Sequence, residues 1–302
     1  MSAVAAIFLS PLLYGIINRT KAFYAGRRGY PLLQLYYDIF KLFQKGVTLS
    51  HTTTKLFRIG PLMSFSALVL AASLAPLGGS SSLFSFSGDL ILFFYLLGLA
   101  RFFIVLGALD TGSAFEGMGA SREIQFSSFV EPVFFISLSG LAHATSQVSL
   151  TEIYFRITPE LWVLTGGGLI LILASLFIAF LVENSRIPFD DPNTHLELTM
   201  IHEVMILDHS GPDLAFLEWT AAIKFWILGS LLAGLMIPIR SGNPLVDSLA
   251  CIAGLFALSI LVGAIESSMA RMCLVRIPQM LIGASILACS ALFTLLISDV
   301  LI

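Results

Sequence analysis

The stretch "LVENSRIPFDDPNTHLELTMIHEVMILDHSG", residues 181–211, lies between two long apolar runs in a chain where only 12% of residues are charged. From Glu183 to Glu218 it and its flank carry Glu183, Asp190, Asp191, Glu197, Glu203, Asp208, Asp213 and Glu218, eight of the chain's 19 acids, against one cation, Arg186. Three of the five histidines, His195, His202 and His209, fall there too. Such a concentration of acid is explained only by what surrounds it.

The surroundings are hydrocarbon-like. A chain of 302 residues that is 57% hydrophobic, with mean hydropathy +0.92, is more apolar than a soluble globule, whose apolar share stays near or below about half. Counting about 20 apolar residues per crossing predicts an all-α integral membrane protein with eight transmembrane helices near 2–18, 62–78, 88–109, 126–145, 161–183, 220–238, 246–268 and 281–300. Residues 1–302 are expected to form a single polytopic membrane domain. The first apolar run lacks the basic n-region and the cleavage site of a signal peptide and is read as a retained span. Cys251, Cys273 and Cys289 are scattered through apolar runs without a C-x-x-C pair, so they are read as core thiols rather than zinc or iron–sulfur ligands. No basic patch interleaved with aromatics suggests nucleic acid.

Charge then orients the spans. Of sixteen Lys and Arg, twelve fall in odd-numbered loops (eight of them in the first), two, Arg156 and Arg240, in even ones, and Arg101 and Lys224 within or at the edge of spans. The positive-inside rule therefore places the odd loops in the cytoplasm and both termini outside. Within the first loop, Leu32, Leu35, Tyr36, Ile39, Leu42 and Phe43 recur at helical spacing, which predicts an amphipathic interfacial helix. Its apolar side either anchors in lipid or roofs a cavity and docks a partner.

Four ionisable residues sit at membrane depth in this reading: Arg101, Glu131, Glu183 and Glu266. A charge in hydrocarbon costs at least about 2.5–3.5 kcal/mol, so such groups pair, face the bundle interior or line water. Arg101 is expected to pair with Glu131 or Asp110, holding two helices together. That pairing leaves the crowd of acids unexplained, whereas carboxylates close enough to raise one another's proton affinity are the material of a proton path.

Catalytic motifs fail one after another. "HEVMI" at 202–206 begins like the zinc helix H-E-x-x-H but has Ile206 at the second ligand position. His195, His202 and His209 are seven apart, on one helical face yet roughly 10 Å from one to the next by helix rise, too far for one ion. "GASREIQ" has Glu123 where a nucleophile elbow needs Gly. "TGGGL" at 165–169 lacks the lysine of a phosphate-binding loop.

A resemblance gathers these pieces. "ENSRIPFD" at 183–190 resembles the E-x-N-R-x-P-F-D stretch after the fifth helix in the H subunit of respiratory complex I, the membrane floor of its quinone chamber. "RFFIVLGALDTGSAFEGMGASRE" at 101–123, "ELTMIHEVMILDHSGPDLAFLEW" at 197–219 and "ESSMARMCLVRIPQ" at 266–279 are similar to the corresponding subunit of group 4 membrane-bound nickel–iron hydrogenases, of the formate hydrogenlyase and hydrogenase-4 type. In the first loop Gly29, Leu32, Leu33, Gln34, Asp38, Lys41 and Leu42 keep the family core while its Pro-Asn portion is missing, the pattern of the hydrogenase branch.

The resemblance implies a cofactor-free membrane subunit of an oxidoreductase complex, not catalytic alone. Glu183, Arg186, Asp190, Asp191, Glu197, Glu203, Asp208, Asp213 and Glu218 would face the redox arm. Asp110, Glu116, Arg122 and Glu123 would line the neighbouring loop, and Arg101 and Glu131 would lead inward as a proton path. Gln34, Asp38, Lys41, Arg122, Arg186 and His202 would contact partners or the cavity. The implied partners are hydrogenase large- and small-type and iron–sulfur subunits, antiporter-like membrane subunits and the lipid bilayer. Iron–sulfur clusters and a nickel–iron centre, or a quinone, would belong to those partners. The implied site is the cytoplasmic membrane of a prokaryote. Two alternatives stand beside this reading: a quinone-chamber subunit of an NADH- or ferredoxin-type oxidoreductase, and a stand-alone secondary transporter. The crowding of acids on one face, and the absence of paired Pro/Gly breaks in the spans, argue against the transporter. A passive anchor with a solvated acidic face is a third reading.

Overall fold

The computed structural model describes residues 2–190 and 201–301, so Asp191, His195 and Glu197 lie outside the described residues. The eleven helices described are α1 (Ser2–Tyr24), α2 (Gln34–Phe43), α3 (Lys55–Leu74), α4 (Asp89–Asp110), α5 (Ala114–Thr145), α6 (Leu150–Arg156), α7 (Pro159–Glu183), α8 (His202–Met205), α9 (Gly211–Met236), α10 (Pro244–Ser268) and α11 (Arg276–Leu301). Eight of them, α1, α3, α4, α5, α7, α9, α10 and α11, are long and apolar enough to cross a membrane, in agreement with the hydropathy count.

Local chemistry fixes where the spans begin. Thr158 and Asn243 accept hydrogen bonds from the backbone N–H of Leu161 and Leu245, each followed at once by a proline, Pro159 and Pro244. A side-chain acceptor with proline in the first turn is a strong helix start, because the missing proline N–H would have had no partner there. Thr54 opens α3 in the same manner, accepting from Leu56 N–H. Between α4 and α5 only Thr111, Gly112 and Ser113 intervene, and Gly112 takes φ +70°, a conformation open to glycine at little cost.

The boundaries depart from hydropathy in an informative direction. α5 starts at Ala114 rather than near 126, and α9 at Gly211 rather than near 220. Hydropathy finds the stretch that hydrocarbon covers, whereas a helix continues as long as its backbone bonds do. As a result Glu116, Arg122 and Glu123 stand on α5, and Asp213 and Glu218 on α9, instead of in loops. The expected single helical face for the histidines is overturned: His202 opens the four-residue α8 and His209 lies beyond its end. The fourth loop contains α6.

α3 packs along α4, α11 fits between α5 and α7, and α1 lies against α9 and α10. α2 rests on α9 and α1. Ile39 is buried there, the Tyr36 hydroxyl donates to the Phe8 carbonyl, and Phe43 meets Phe216 edge-on at 5.2 Å. The apolar side of α2 thus rests in part on protein, with Ile39 buried, Leu35, Tyr36 and Leu42 half-buried, and Leu32 and Phe43 exposed. Any side chain at Gly15 of α1 would collide with the Leu32 carbonyl, so glycine lets the chain entering α2 lie directly on α1. Trp226, Phe93, Phe180 and Phe225 fill the centre, while Phe8, Tyr95, Ile170, Leu249 and Phe293 face outward from the spans. This apolar-out arrangement suits lipid rather than water.

Candidate functional site: an ion cluster between three cavities

The site begins at the end of α7. The N–H of Arg186 donates to Leu181 O and that of Ser185 to Val182 O, with Ser185 at φ +50°; this is the Schellman stop, which reverses the chain sharply. The turn folds Arg186 back into the bundle, where it is 4% exposed. Its guanidinium lies 4.2 Å from the Tyr14 ring centroid and 5.5 Å from that of Phe225, a cation–π arrangement, and Nη1 is 3.4 Å from Glu266 Oε1. Lys21 of α1 holds the other oxygen of Glu266 at 2.9 Å.

Asp190 closes the turn. Its Oδ2 accepts from the N–H of Ile201 at 3.2 Å and of His202 at 3.3 Å, and Oδ1 lies 3.1 Å from Arg271 Nη2. One carboxylate thereby joins the end of the "ENSRIPFD" turn, the start of α8 and the segment before α11. Arg186, Asp190, His202, Glu203 and Glu218, together with Tyr14 and Lys224, line a cavity of about 40 Å³. At about 15 Å³ per water centre, that is room for two or three waters.

A second cavity, about 20 Å³, lies deeper, lined by Arg101, Glu123, Glu183, His202 and Lys224. Here Arg101 of α4 gathers three carboxylates. Nη2 donates to Glu183 Oε1 and Oε2 at 2.7 Å, Nη1 to Glu131 Oε1 at 2.7 Å, and Nε lies 3.6 Å from Glu123 Oε1. Lys224 Nζ approaches Glu183 Oε1 at 3.6 Å. Three carboxylates thus face two cations, and a guanidinium, which never gives up its proton, is the hub. Beyond Glu131, whose side chain is half exposed (51%), a groove of about 430 Å³ opens between α4 and α5, lined by Arg101, Glu131 and Glu183 and by aromatics that include Phe94, Phe102, Phe134 and Phe135.

The loop groups carry perturbed proton affinities. Burial, then the carboxylates of Glu218 and Asp190, push Glu203 up to about 7, against the pull of Arg186. Burial, then the Lys224 ammonium, hold His202 down at about 3. Burial alone lowers His209 to about 4; its ring is stacked on Phe57 at 3.9 Å. A carboxyl that titrates near neutrality beside neutral imidazoles fits proton exchange more than fixed charge.

Other expected residues lie elsewhere. Asp110 does not pair with Arg101. It accepts from the N–H of Thr54 at 2.6 Å and the hydroxyl at 2.8 Å, bracing the start of α3, because the short turn to α5 leaves it facing the first loop. Glu116 is buried and accepts from Asp208 N–H at 3.2 Å. Asp213 is buried near the start of α9. Arg122 Nη2 meets Met118 Sδ on its own helix at 3.1 Å. Gln34 donates to Asp38 on the outer side of α2, and Lys41 is exposed near its end. The sequence reading passed over Tyr14 and Lys224 as site residues. Lys224 had a usable signal, a cation within a span; Tyr14 had none. Among the described residues no group of three or more His, Cys, Asp and Glu could hold a metal ion.

Comparison with known proteins identifies the family and the fold. The family model described as NADH dehydrogenase matches residues 1–298. Hydrogenase-4 component C of Escherichia coli (strain K12) is 35% identical over 250 residues, 83% of this chain and 77% of that protein. Formate hydrogenlyase subunit 4 of the same organism is 29% identical over 279 residues, 90% of this chain and 89% of that one. A chain of the membrane-bound sulfane sulfur reductase, an archaeal respiratory membrane complex, shares the fold with a TM-score of 0.81 at 20% identity, covering 97% of this chain and 96% of its own length. With its family motifs, its eight spans and a match along nearly its whole length, the chain belongs to the NADH dehydrogenase family, on the side of its hydrogenase-4 and formate hydrogenlyase relatives.

Proposed function

We propose that this membrane subunit of a complex I-like, group 4 hydrogenase-type assembly couples electron transfer in its partners to the movement of protons or sodium ions. The observation that carries the reading is the Arg101 hub. One permanent cation is shared by Glu123, Glu131 and Glu183, between a water-sized cavity under the acidic loop and a groove on the side of the bundle. When a redox event in a docked arm shifts the loop that carries Asp190, Glu203 and His202, the balance among these carboxylates changes. Their protons then move toward Glu131 and the groove, where an antiporter-like subunit would receive them. Iron–sulfur clusters and the nickel–iron centre belong to partner subunits in this reading. The exposed face of α2 and the loop beside it serve as the docking side, in the cytoplasm of a prokaryote, with both termini outside. A cavity with room for a few waters favours proton exchange over a quinone ring at the loop.

The test is Glu183→Gln and Glu131→Gln in the assembled complex reconstituted in liposomes, with a pH-sensitive dye and a sodium assay read against electron transfer. At least a tenfold fall in ions moved per electron is expected for Glu183→Gln. Unchanged ratios in both variants would refute the reading, and co-purification of no redox subunit in mild detergent would refute the assembly.

A further inference from the structure

We propose that Lys224 is the proton carrier between the loop cavity and the Arg101 cluster, a role that rests on the coupling function above. Four residues, His202, Leu217, Ala221 and Lys224, line both cavities and form the wall between them. Two of the four are titratable, and His202 is held as the neutral imidazole with little affinity for a further proton. Lys224 is therefore the one member of the wall that arrives with a proton to give.

Its surroundings are built for that exchange. The side chain is 16% exposed, and Nζ lies 3.6 Å from Glu183 Oε1, the oxygen that also accepts from Arg101 Nη2 at 2.7 Å. Arg101 and Lys224 thus share one carboxylate oxygen, and of the two cations only the ammonium can be deprotonated. In a desolvated site an ammonium–carboxylate pair is relieved by passing the proton across, which leaves two neutral groups. On the far side of the wall, Glu203 of α8 and Glu218 of α9 face the water-sized space. Glu218 precedes Lys224 by six residues on α9, roughly 9 Å of helix rise, a gap that a chain of the two or three waters the cavity has room for would span.

The step balances without another reactant. When Arg101 swings toward Glu123 or Glu131 and frees Glu183, an N–H bond of the Lys224 ammonium breaks as an O–H bond forms on Glu183. The neutral amine then takes a proton, through water, from the carboxylic acid of Glu203 or Glu218, which becomes the carboxylate. Arg101 holds Glu183 in the resting arrangement and so keeps the proton on Lys224 until the hub rearranges.

Lys224→Arg tests this directly, since arginine keeps the positive charge and the ion pair with Glu183 yet cannot release a proton. In the assembled complex in liposomes, Lys224→Arg and Lys224→Gln are both expected to lower protons moved per electron at least tenfold. A Lys224→Arg complex that pumps at the native ratio overturns the proposal, because Lys224 is then only a fixed charge. Should Lys224→Arg fail to assemble, Lys224→Ala is combined with Ala221→Lys or with Ala221→Arg, which places the new cation one turn away against the same two cavities. Recovery of pumping with the lysine alone supports the carrier, and equal behaviour of the two combinations overturns it. Glu183→Gln, run in parallel, separates the levels. If it uncouples while Lys224→Arg pumps, the lysine inference fails alone; if it and Glu131→Gln both pump normally, the coupling function fails with it.

Discussion

The two ends of the bundle handle buried acid in opposite ways. At the end away from the acidic loop, Asp89 is fully buried and accepts from the Ser149 hydroxyl at 2.8 Å and the N–H of Leu150 at 2.7 Å. Asp247, 3% exposed, accepts from the N–H and hydroxyl of Ser241 at 2.9 and 2.8 Å. Neither lies within ion-pair distance of a cation among the described residues. A backbone N–H and a serine hydroxyl, both neutral, hold each charge, so these aspartates pin the loops before α6 and α10. At the loop end, Glu183, Glu131, Glu123 and Glu266 depend on cations carried by long side chains, and three of the four share one arginine. A shared cation admits several arrangements of similar energy, and water-sized space beside it lets protons follow. The contrast separates acids that build the fold from acids that can work.

Substitutions that break the contrast rank by what they strand. Arg101→Ala leaves three carboxylates without their common partner and should cost about 3–5 kcal/mol, the range for one partner removed from a buried pair. The expected outcome is a complex with a sharply lower melting temperature in detergent, or none assembled. Asp89→Ala leaves the buried Leu150 N–H without its acceptor, while the Ser149 hydroxyl keeps Ser85 Oγ at 3.2 Å, and should cost about 1–3 kcal/mol. It should leave the ratio of protons to electrons at the native value, which a reconstituted complex measures. A drop in that ratio would mean that the far end also takes part in coupling.

The smallest expected effect sharpens the comparison through pH. Glu203 binds its proton more tightly in the folded chain, up to about 7 from 4.5. Its contribution to stability is therefore full below 4.5 and is lost as pH rises through about 7. His202 runs the other way: held at about 3, it contributes above its ordinary 6.5 and loses that contribution as pH falls toward 3. Glu203→Gln should raise stability above pH 7 by about 1–2 kcal/mol, with partial exposure discounted, and leave it nearly unchanged at pH 4.5. Melting curves of variant and parent across that window check the sign.

Much of the architecture was legible because it is local. Hydropathy marks where hydrocarbon must lie, and the "ENSRIPFD" and "RFFIVLGALDTG" stretches mark the family. Even the pairing of Arg101 with Glu131 was within reach, as two charges at similar depth on successive spans. The competing suggestion of Asp110 failed because the three-residue turn after it points that carboxylate at the start of α3, a matter of chain direction that composition does not encode. The starts of α5 and α9 were missed because a helix outlasts its apolar portion.

The sequence by itself determined eight spans, the crowding of acids between the fifth and sixth of them, the break in the zinc motif at Ile206, and a family. Tertiary structure alone decided that Glu183 meets an arginine 82 positions away, that Asp190 ties the turn to α8, and that Lys224 stands between two cavities. The physical reason is range. Transfer into hydrocarbon acts residue by residue along the chain, whereas an ion pair exists only after packing of separate helices has brought its members within a few ångströms.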